Sequence, residues 1–384
     1  MAEWMNSIFS LFFWGSILSI CYAYVGYPIS LFIIGTFRKR VVVKRAIYPS
    51  ATIIITVFNE ERRIAEKIDN TLSLQYPIEK LQIIIASDGS TDCTNDIVAG
   101  YASRGVELLR VTERKGKENA QKEAIQMARG EIIVFSDVAT ILDQDGLKEI
   151  VSNFADHSVG CVSSEDRLIG RDGIPCGEGF YVQYEMRLRN IESRVFSVVG
   201  VSGSFFAARR EVCRDFSGEM QSDFRTVLNA IKLGYRGVSD PRAVGYYQDI
   251  LDEKKEFDRK VRTVVRGLTV FFHHLEYLNG FKYGIFAYQY FCHKLLRWLV
   301  PFFLMILFLS NLVLAIHYYW YSIILIGQMI FYGVALYVKI NGLVIQNALV
   351  KMPVYFIVVN LSIFVAWLQY WSGRRVVMWQ PSER

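Results

Sequence analysis

No Cys-x-x-Cys pair occurs in the 384 residues, and the five histidines include one adjacent couple, His273-His274. Zinc fingers, zinc ribbons and thioredoxin-type redox motifs are thereby excluded. The six cysteines, at positions 21, 93, 161, 176, 213 and 292, read as reduced packing residues of a cytosolic protein. There is no internal repeat and no basic heptad region. The net charge of +6 therefore does not point to nucleic acid, and much of the basic excess lies beside apolar segments.

Charge is missing altogether from residues 8–36. A run this long exceeds the about 20 residues that cross a bilayer as a helix. A cleaved signal peptide would carry its positive charges before a shorter apolar core. Here Arg38-Lys39-Arg40 and Lys44-Arg45 follow the run instead. Residues 1–40 thus read as a retained transmembrane anchor, and those bases put the next domain on the cytoplasmic side.

Leu299–Tyr319, Tyr321–Val338 and Val354–Trp371 read as three further spans within 299–372, ahead of a tail at 373–384. Pro301 and Pro353 fall near their starts, where a missing N–H does little harm. Trp298, Tyr318, Tyr319, Trp320, Tyr370 and Trp371 gather at the ends, as interfacial aromatics do. Residues 271–298, with Phe271–Leu275 and Tyr283–Leu296, are aromatic-rich with sparse charge and read as amphipathic helices in the membrane interface.

Residues 41–270 have the composition of a water-soluble domain. Ala51–Val57, Leu81–Ala86, Val106–Val111 and Glu131–Phe135 are short apolar, β-branched runs, predicted as strands. Helical patterns separate them: Ile64 to Leu74, Asp92–Arg104 and Glu118–Arg129. Such alternation predicts right-handed crossovers and a Rossmann-like, mainly parallel sheet. Past residue 155 the alternation loosens, which predicts a mixed second half.

An open α/β sheet presents its ligand-binding groups at the carboxyl ends of its strands. Glu60, Asp88 and Asp137 all follow predicted strands and so share one edge. Lys115 and Lys117 flank Gly116 just before a helix, which is a favourable place for phosphate. Carboxylates beside phosphate repel it unless a divalent cation intervenes, and Mg2+ or Mn2+ is held by one or two carboxylates plus phosphate oxygens. Taken singly, each of these residues also suits a turn former or a solvated charge.

Thr56-Val57-Phe58-Asn59-Glu60-Glu61, Ser87-Asp88-Gly89-Ser90-Thr91-Asp92, Lys115-Gly116-Lys117 and Phe135-Ser136-Asp137 resemble, in that order, the motifs of family 2 glycosyltransferases with the GT-A fold. Over about residues 50–300 the sequence is similar to membrane synthases of hyaluronan, chitin, cellulose and poly-N-acetylglucosamine. The resemblance implies a GT-A domain at 41–270, a UDP-sugar donor and Mg2+ or Mn2+. It also implies roles. Glu60 and Asp88 would hold the uridine, Lys117 the diphosphate, and Asp137 would be the first carboxylate of a DxD-type metal motif. Tyr181 to Ser193 resembles the acceptor-side helix, and Val199–Ala207, with Ser204, resembles the glycine-rich segment under the acceptor, where small residues let a sugar approach the backbone. Asp223 matches the catalytic acid pair and would be the base of an inverting transfer. A helix N-cap is the other use of an Asp at that position.

Three positions depart from the family pattern. Val138-Ala139 follows Asp137 where a second acid or amide is usual, Lys122 stands for Asn, and Arg259-Lys260-Val261-Arg262-Thr263 stands where processive members carry Gln-x-x-Arg-Trp. Arg262 and Arg266 remain candidates for acceptor or diphosphate binding, or for a lipid-facing basic face. Gln328, Gln346, Asn347 and Asn360, in or near the spans, would line a path for an exported polymer or bond between helices.

The expectation is an integral membrane enzyme with a cytoplasmic catalytic domain. It moves GlcNAc or Glc from a UDP-sugar onto a growing cell-surface polysaccharide, with membrane lipid and not nucleic acid as surroundings. Two alternatives stay open: single-sugar transfer to a polyprenyl-phosphate or other lipid-linked acceptor, and a non-catalytic nucleotide-binding membrane subunit.

Overall fold

The computed structural model describes residues 2–169, 180–248, 253–341 and 348–374. The chain forms two compact units. One gathers Met1–Ser30, Asp252–Leu268 and Tyr290–Arg374; the other is built chiefly from Leu31–Leu251 with Thr269–Gln289.

The second unit is organised by an eight-stranded sheet: β1 (Ala51–Val57), β2 (Leu81–Asp88), β3 (Val106–Val111), β4 (Ile132–Asp137), β5 (Ile141–Leu142), β6 (Val159–Ile169), β7 (Phe205–Arg209) and β8 (Arg236–Gln248). Their order across the sheet is β3-β2-β1-β4-β7-β6-β8-β5. β1, β2, β3 and β4 are mutually parallel where they pair. β7 runs antiparallel to both β4 and β6, so the expected mixed second half is present. All seven residues of β1 are buried, because the sheet is covered on both faces. Ile53, Ile55, Ile83, Ile85, Ile132 and Val134 contribute to one core cluster. On β4, Phe135 stacks on Phe206 of neighbouring β7 at 4.6 Å.

Two strands run further than their apolar residues suggest. β2 continues to Asp88 and β4 to Asp137, because neighbouring strands offer pairing partners there: Asp88 lies opposite Val111 and Asp137 opposite Thr56. Both acids are therefore terminal strand residues, with backbones fixed by the ladder. The predicted helix 92–104 is instead Thr94–Ala99, stopped at Gly100, followed by a separate turn Ala102–Arg104. After β3 the chain returns to place β4 on the other side of β1. That reversal of strand order creates the crevice in which open α/β sheets bind ligands.

The first unit is helical. Among the described residues four helices are long and apolar enough to cross a membrane: Trp4–Phe37, Ile285–His317, Tyr319–Val338 and Met352–Trp371. No break occurs at 298–299, where interfacial helices were expected to give way to a span. Ile285–Tyr290, the π-helical turn Phe291–Leu296 and Arg297–His317 form one helical run. Pro301 consequently lies inside that run and not near its start, a turn after a wide π segment of the kind that accommodates ladder interruptions. Within this unit Phe13 packs edge-on against Tyr321 at 4.9 Å, and the Trp367 indole N–H donates to the Trp298 carbonyl at 2.8 Å. The Gln328 amide meets that of Asn311 at 2.7 Å, and Asn360 donates to the Phe356 carbonyl of its own helix. Both polar side chains are thus used in helix bonding. Gln346 and Asn347 lie outside the described residues.

Candidate active site

At the carboxyl edge, the loops after β1 and β2 are sewn together by short polar side chains. The Asn59 backbone adopts φ 51°, a left-handed conformation that Asn tolerates better than most residues. Its Oδ1 accepts the Thr91 N–H at 2.9 Å, while the Glu60 N–H donates to Thr94 Oγ1 at 2.8 Å and the Glu61 N–H to Asp92 Oδ2 at 3.1 Å. The Asn-Glu-Glu and Ser-Thr-Asp strings are thus the two halves of one structure.

Asp88 closes the same edge from within. It has no exposed surface; its Oδ1 accepts the Lys115 N–H and its Oδ2 the Gly116 N–H, each at 2.9 Å. Gly116 has φ 102°, open to glycine at little cost, and this conformation turns both amides onto the carboxylate. Asp88 therefore fixes the Lys115-Gly116-Lys117 loop. Glu60 is likewise almost fully buried. Its two oxygens take a bidentate pair from Arg63, at 2.8 and 2.7 Å. Burial raises its pKa above the ordinary carboxylate value, and the Arg63 guanidinium offsets part of that rise.

Lys117 begins the helix Lys117–Met127 and is the hub of the site. Its Nζ ion-pairs with Asp137 Oδ1 and donates to the Gly203 carbonyl at 3.1 Å. Asp137 is in turn held by its own N–H on the Ser204 carbonyl, at 2.9 Å. Ser204 Oγ donates to Asp166 Oδ1 at 2.5 Å, and Ser202 Oγ reaches the same carboxylate at 2.7 and 2.8 Å. On the other side of Gly203 stands Asp223. A Cβ added at Gly203 would lie 2.9 Å from Asp223 Oδ2, so glycine here lets the carboxylate approach the loop backbone. Asp223 lies in the first turn of the helix Ser222–Lys232, where Gln221 is the N-cap residue. Its Oδ2 accepts from Gln221 Nε2 at 3.1 Å, and its backbone carbonyl takes the Val201 N–H.

Lys117, Asp137, Ser204 and Asp223 are thus brought together by one tripeptide, Ser202-Gly203-Ser204. Asp88 joins them through the loop it holds. Arg262 and Arg266 belong to the helical unit, on the helix Glu253–His273, where Glu256 pairs with both Arg259 and Lys260 at 2.7 Å. Arg262 is held below the usual guanidinium range by burial and then by the neighbouring charges of Arg266 and Arg259.

Among the described residues no group of three or more His, Cys, Asp or Glu side chains could hold a metal ion by itself. Ala139 supplies no donor, so Asp137 is the one carboxylate of its motif. A single strand-end carboxylate completed by diphosphate oxygens still fits the oxygen-ligand preference of Mg2+ or Mn2+.

Sequence reasoning passed over several residues at this edge. Arg63 binds Glu60, Asp166 takes the two serines, and the Arg114 guanidinium stacks on the Phe58 ring at 3.6 Å. Lys67 is fully buried beneath β4. Its signal was a lysine on the apolar stripe of Ile64, Ile68 and Thr71. Asp166 left no pattern to find.

Residues 52–216 match the family model described as glycosyl transferase family 2. The chain contains a family 2 glycosyltransferase domain. Two curated relatives are poly-beta-1,6-N-acetyl-D-glucosamine synthases. The one from Staphylococcus aureus is 30% identical over 125 residues, covering 32% of this chain and 30% of that protein. The one from Staphylococcus epidermidis is 25% identical over 167 residues, covering 42% and 40%. The chain therefore aligns with well under half the length of these relatives. A solved mannosyltransferase from Pyrobaculum calidifontis, in complex with GDP-Man and Mn2+, superposes with a TM-score of 0.73 at 21% identity, covering 94% of this chain and 99% of that one. The family 2 domain thus has the GT-A fold, a Rossmann-like mixed sheet, in a chain with candidate transmembrane helices.

Proposed function

We propose that the chain is an inverting membrane glycosyltransferase that moves a sugar from a UDP-sugar, GlcNAc or Glc, onto a growing cell-surface polysaccharide on the cytoplasmic side of a membrane. The observation that carries the reading is the Lys117 hub, where one ammonium links Asp137 on the donor side to Gly203, and Gly203 abuts Asp223. The 30% identity to a poly-beta-1,6-N-acetyl-D-glucosamine synthase over the motif-bearing segment supports GlcNAc and a polymer product.

In this mechanism Asp223 accepts the proton of the acceptor hydroxyl as that oxygen attacks C1 of the donor sugar, and the C1–O bond to the diphosphate breaks. No covalent enzyme intermediate is needed. Lys117, fixed at a helix start, takes up the negative charge that develops on the leaving diphosphate. Gly203 lets the Asp223 carboxylate come up against the loop backbone. Asp137, with diphosphate oxygens, would hold Mg2+ or Mn2+, which would supply further positive charge to the leaving group.

A second reading, transfer of one sugar to a polyprenyl-phosphate or other lipid-linked acceptor, is favoured by Thr263. Where processive relatives carry Trp, this exposed threonine turns its hydroxyl onto the Arg259 carbonyl of its own helix at 2.9 Å and offers no aromatic platform. Purified protein incubated with a panel of UDP-sugars, Mn2+ and lipid extract separates the readings. UDP release with a product of many sugars supports polymer synthesis, and release with one sugar per lipid supports the alternative. No release from any donor would sink both.

A further inference from the structure

We propose that Lys67 is a positioning residue that fixes, from inside the domain, the turn bearing Asp137, and thereby sets how Asp137 meets a divalent cation and a diphosphate. The inference rests on the reading of Asp137 as the cation's protein ligand.

Lys67 lies on the inward stripe of the helix Ile64–Leu72, with Ile64, Ile68 and Thr71, and none of its surface is exposed. Its ammonium donates to Ser136 Oγ at 2.8 Å and to the Thr140 carbonyl. Those two residues bracket Asp137. One turn along the same helix, Asn70 exchanges two hydrogen bonds with the Leu142 backbone, both at 2.9 Å. The helix therefore grips the segment 136–142 at three points, and Lys67 holds the two nearest the carboxylate. On its other side the segment is pinned by the Asp137 N–H on Ser204.

A lysine is a costly way to fill this position. Desolvating an ammonium is costly, and this one is bonded to a hydroxyl and a carbonyl instead of a carboxylate. A leucine would complete the apolar stripe at no such cost, but could not reach across to bond both flanks of the turn. The need is plain from the motif. With Ala139 in the second position, one carboxylate must serve where a pair is usual, and its orientation has no second acid to correct it.

The test uses full-length protein in detergent, with Mn2+ and UDP as probes. Unbound Mn2+ is followed by electron paramagnetic resonance, and UDP alone by calorimetry. Lys67→Met is expected to weaken UDP-dependent Mn2+ binding about tenfold or more, the scale on which groups that orient metal ligands act, with UDP binding in the absence of metal preserved and a melting temperature at pH 7 no lower than that of wild type. Ser136→Ala, which keeps the lysine and removes one anchor, should shift Mn2+ affinity the same way by less. Folded Lys67→Met with wild-type Mn2+ affinity overturns the inference. If that variant does not fold, unchanged affinity in Ser136→Ala overturns it. Wild-type protein that shows no UDP-dependent Mn2+ binding removes the reading of Asp137 and the inference together, whereas wild-type binding with unaffected variants removes the inference alone.

Discussion

Lys117 and Asp137 form an ion pair across the carboxyl edge of the sheet, joining the start of a helix to the end of β4. The lysine is nearly buried and the aspartate is about a quarter exposed, at 10% and 28% of their side chains. A charge-assisted bond from this ammonium to the diphosphate would contribute about 1.5–3 kcal/mol. Lys117→Met should therefore weaken UDP binding about ten- to hundredfold, with Lys117→Arg intermediate. Calorimetry with UDP checks this, and equal affinity in the Met variant would remove Lys117 from the donor site.

Asp223 is assigned as base by its place beside Gly203. Asp223→Asn keeps the shape and the bond from Phe224 N–H to Oδ1, but cannot accept the acceptor proton. Turnover should fall about 10²–10⁴-fold, while UDP affinity stays within about twofold of wild type, a separation expected of a group acting only in the chemical step. UDP release measured beside calorimetry distinguishes this from general damage.

Gly203→Ala puts a methyl group 2.9 Å from Asp223 Oδ2. Either the carboxylate or the loop must shift, and displacements of about 1 Å at a reacting group cost up to about a hundredfold in rate. Turnover should drop by at least about tenfold without loss of UDP binding. Wild-type turnover in this variant would contradict the close approach.

Asp88 also holds the loop that carries Lys117. Asp88→Ala leaves the Lys115 and Gly116 amides without their acceptor. Each unsatisfied buried donor costs about 1–3 kcal/mol. The expected result is a melting temperature lower by several degrees, with UDP affinity falling as the 115–117 loop loosens. A variant as stable as wild type would contradict it.

Lys67 gives stability a particular pH dependence. Burial lowers its pKa from about 10.5 to about 7, only partly opposed by Asp137. Between those two values the unfolded chain holds a proton that the folded protein lacks. Its contribution to stability therefore rises with pH across that window, and the burial cost is felt in full below it. Lys67→Met removes the term. Its melting temperature relative to wild type should be most favourable at or below about pH 7, and the difference should shift toward wild type as pH approaches 10. A gap that widens in the Met variant's favour with rising pH would reverse the sign.

The strands were legible because a β-branched run bounded by turn residues is a local signal. Asp88 and Asp137 were legible as strand-end acids for the same reason. What each acid does there was not. Asp88 reads as a strand-end carboxylate in sequence, and only the structure shows that each of its oxygens accepts an amide, 27 and 28 residues downstream. Asp166 gave no sign, because its partners Ser202 and Ser204 come from β7's approach some 36 and 38 residues away. The boundary expected at 298–299 leaves no mark on the backbone, which continues as helix from Ile285 to His317.

By itself the sequence determined the apolar helices, the order of strands and helices up to β4, and the four motifs that mark the family 2 domain, since all depend on composition and neighbours within a few residues. Tertiary structure alone decided which charge faces which. Lys67 meets Ser136 across 69 residues, and Lys117 meets Gly203 across 86. Such contacts form only once the sheet has closed and its two faces are covered, and burial then obliges each buried charge and amide to find the partner that packing brings within reach.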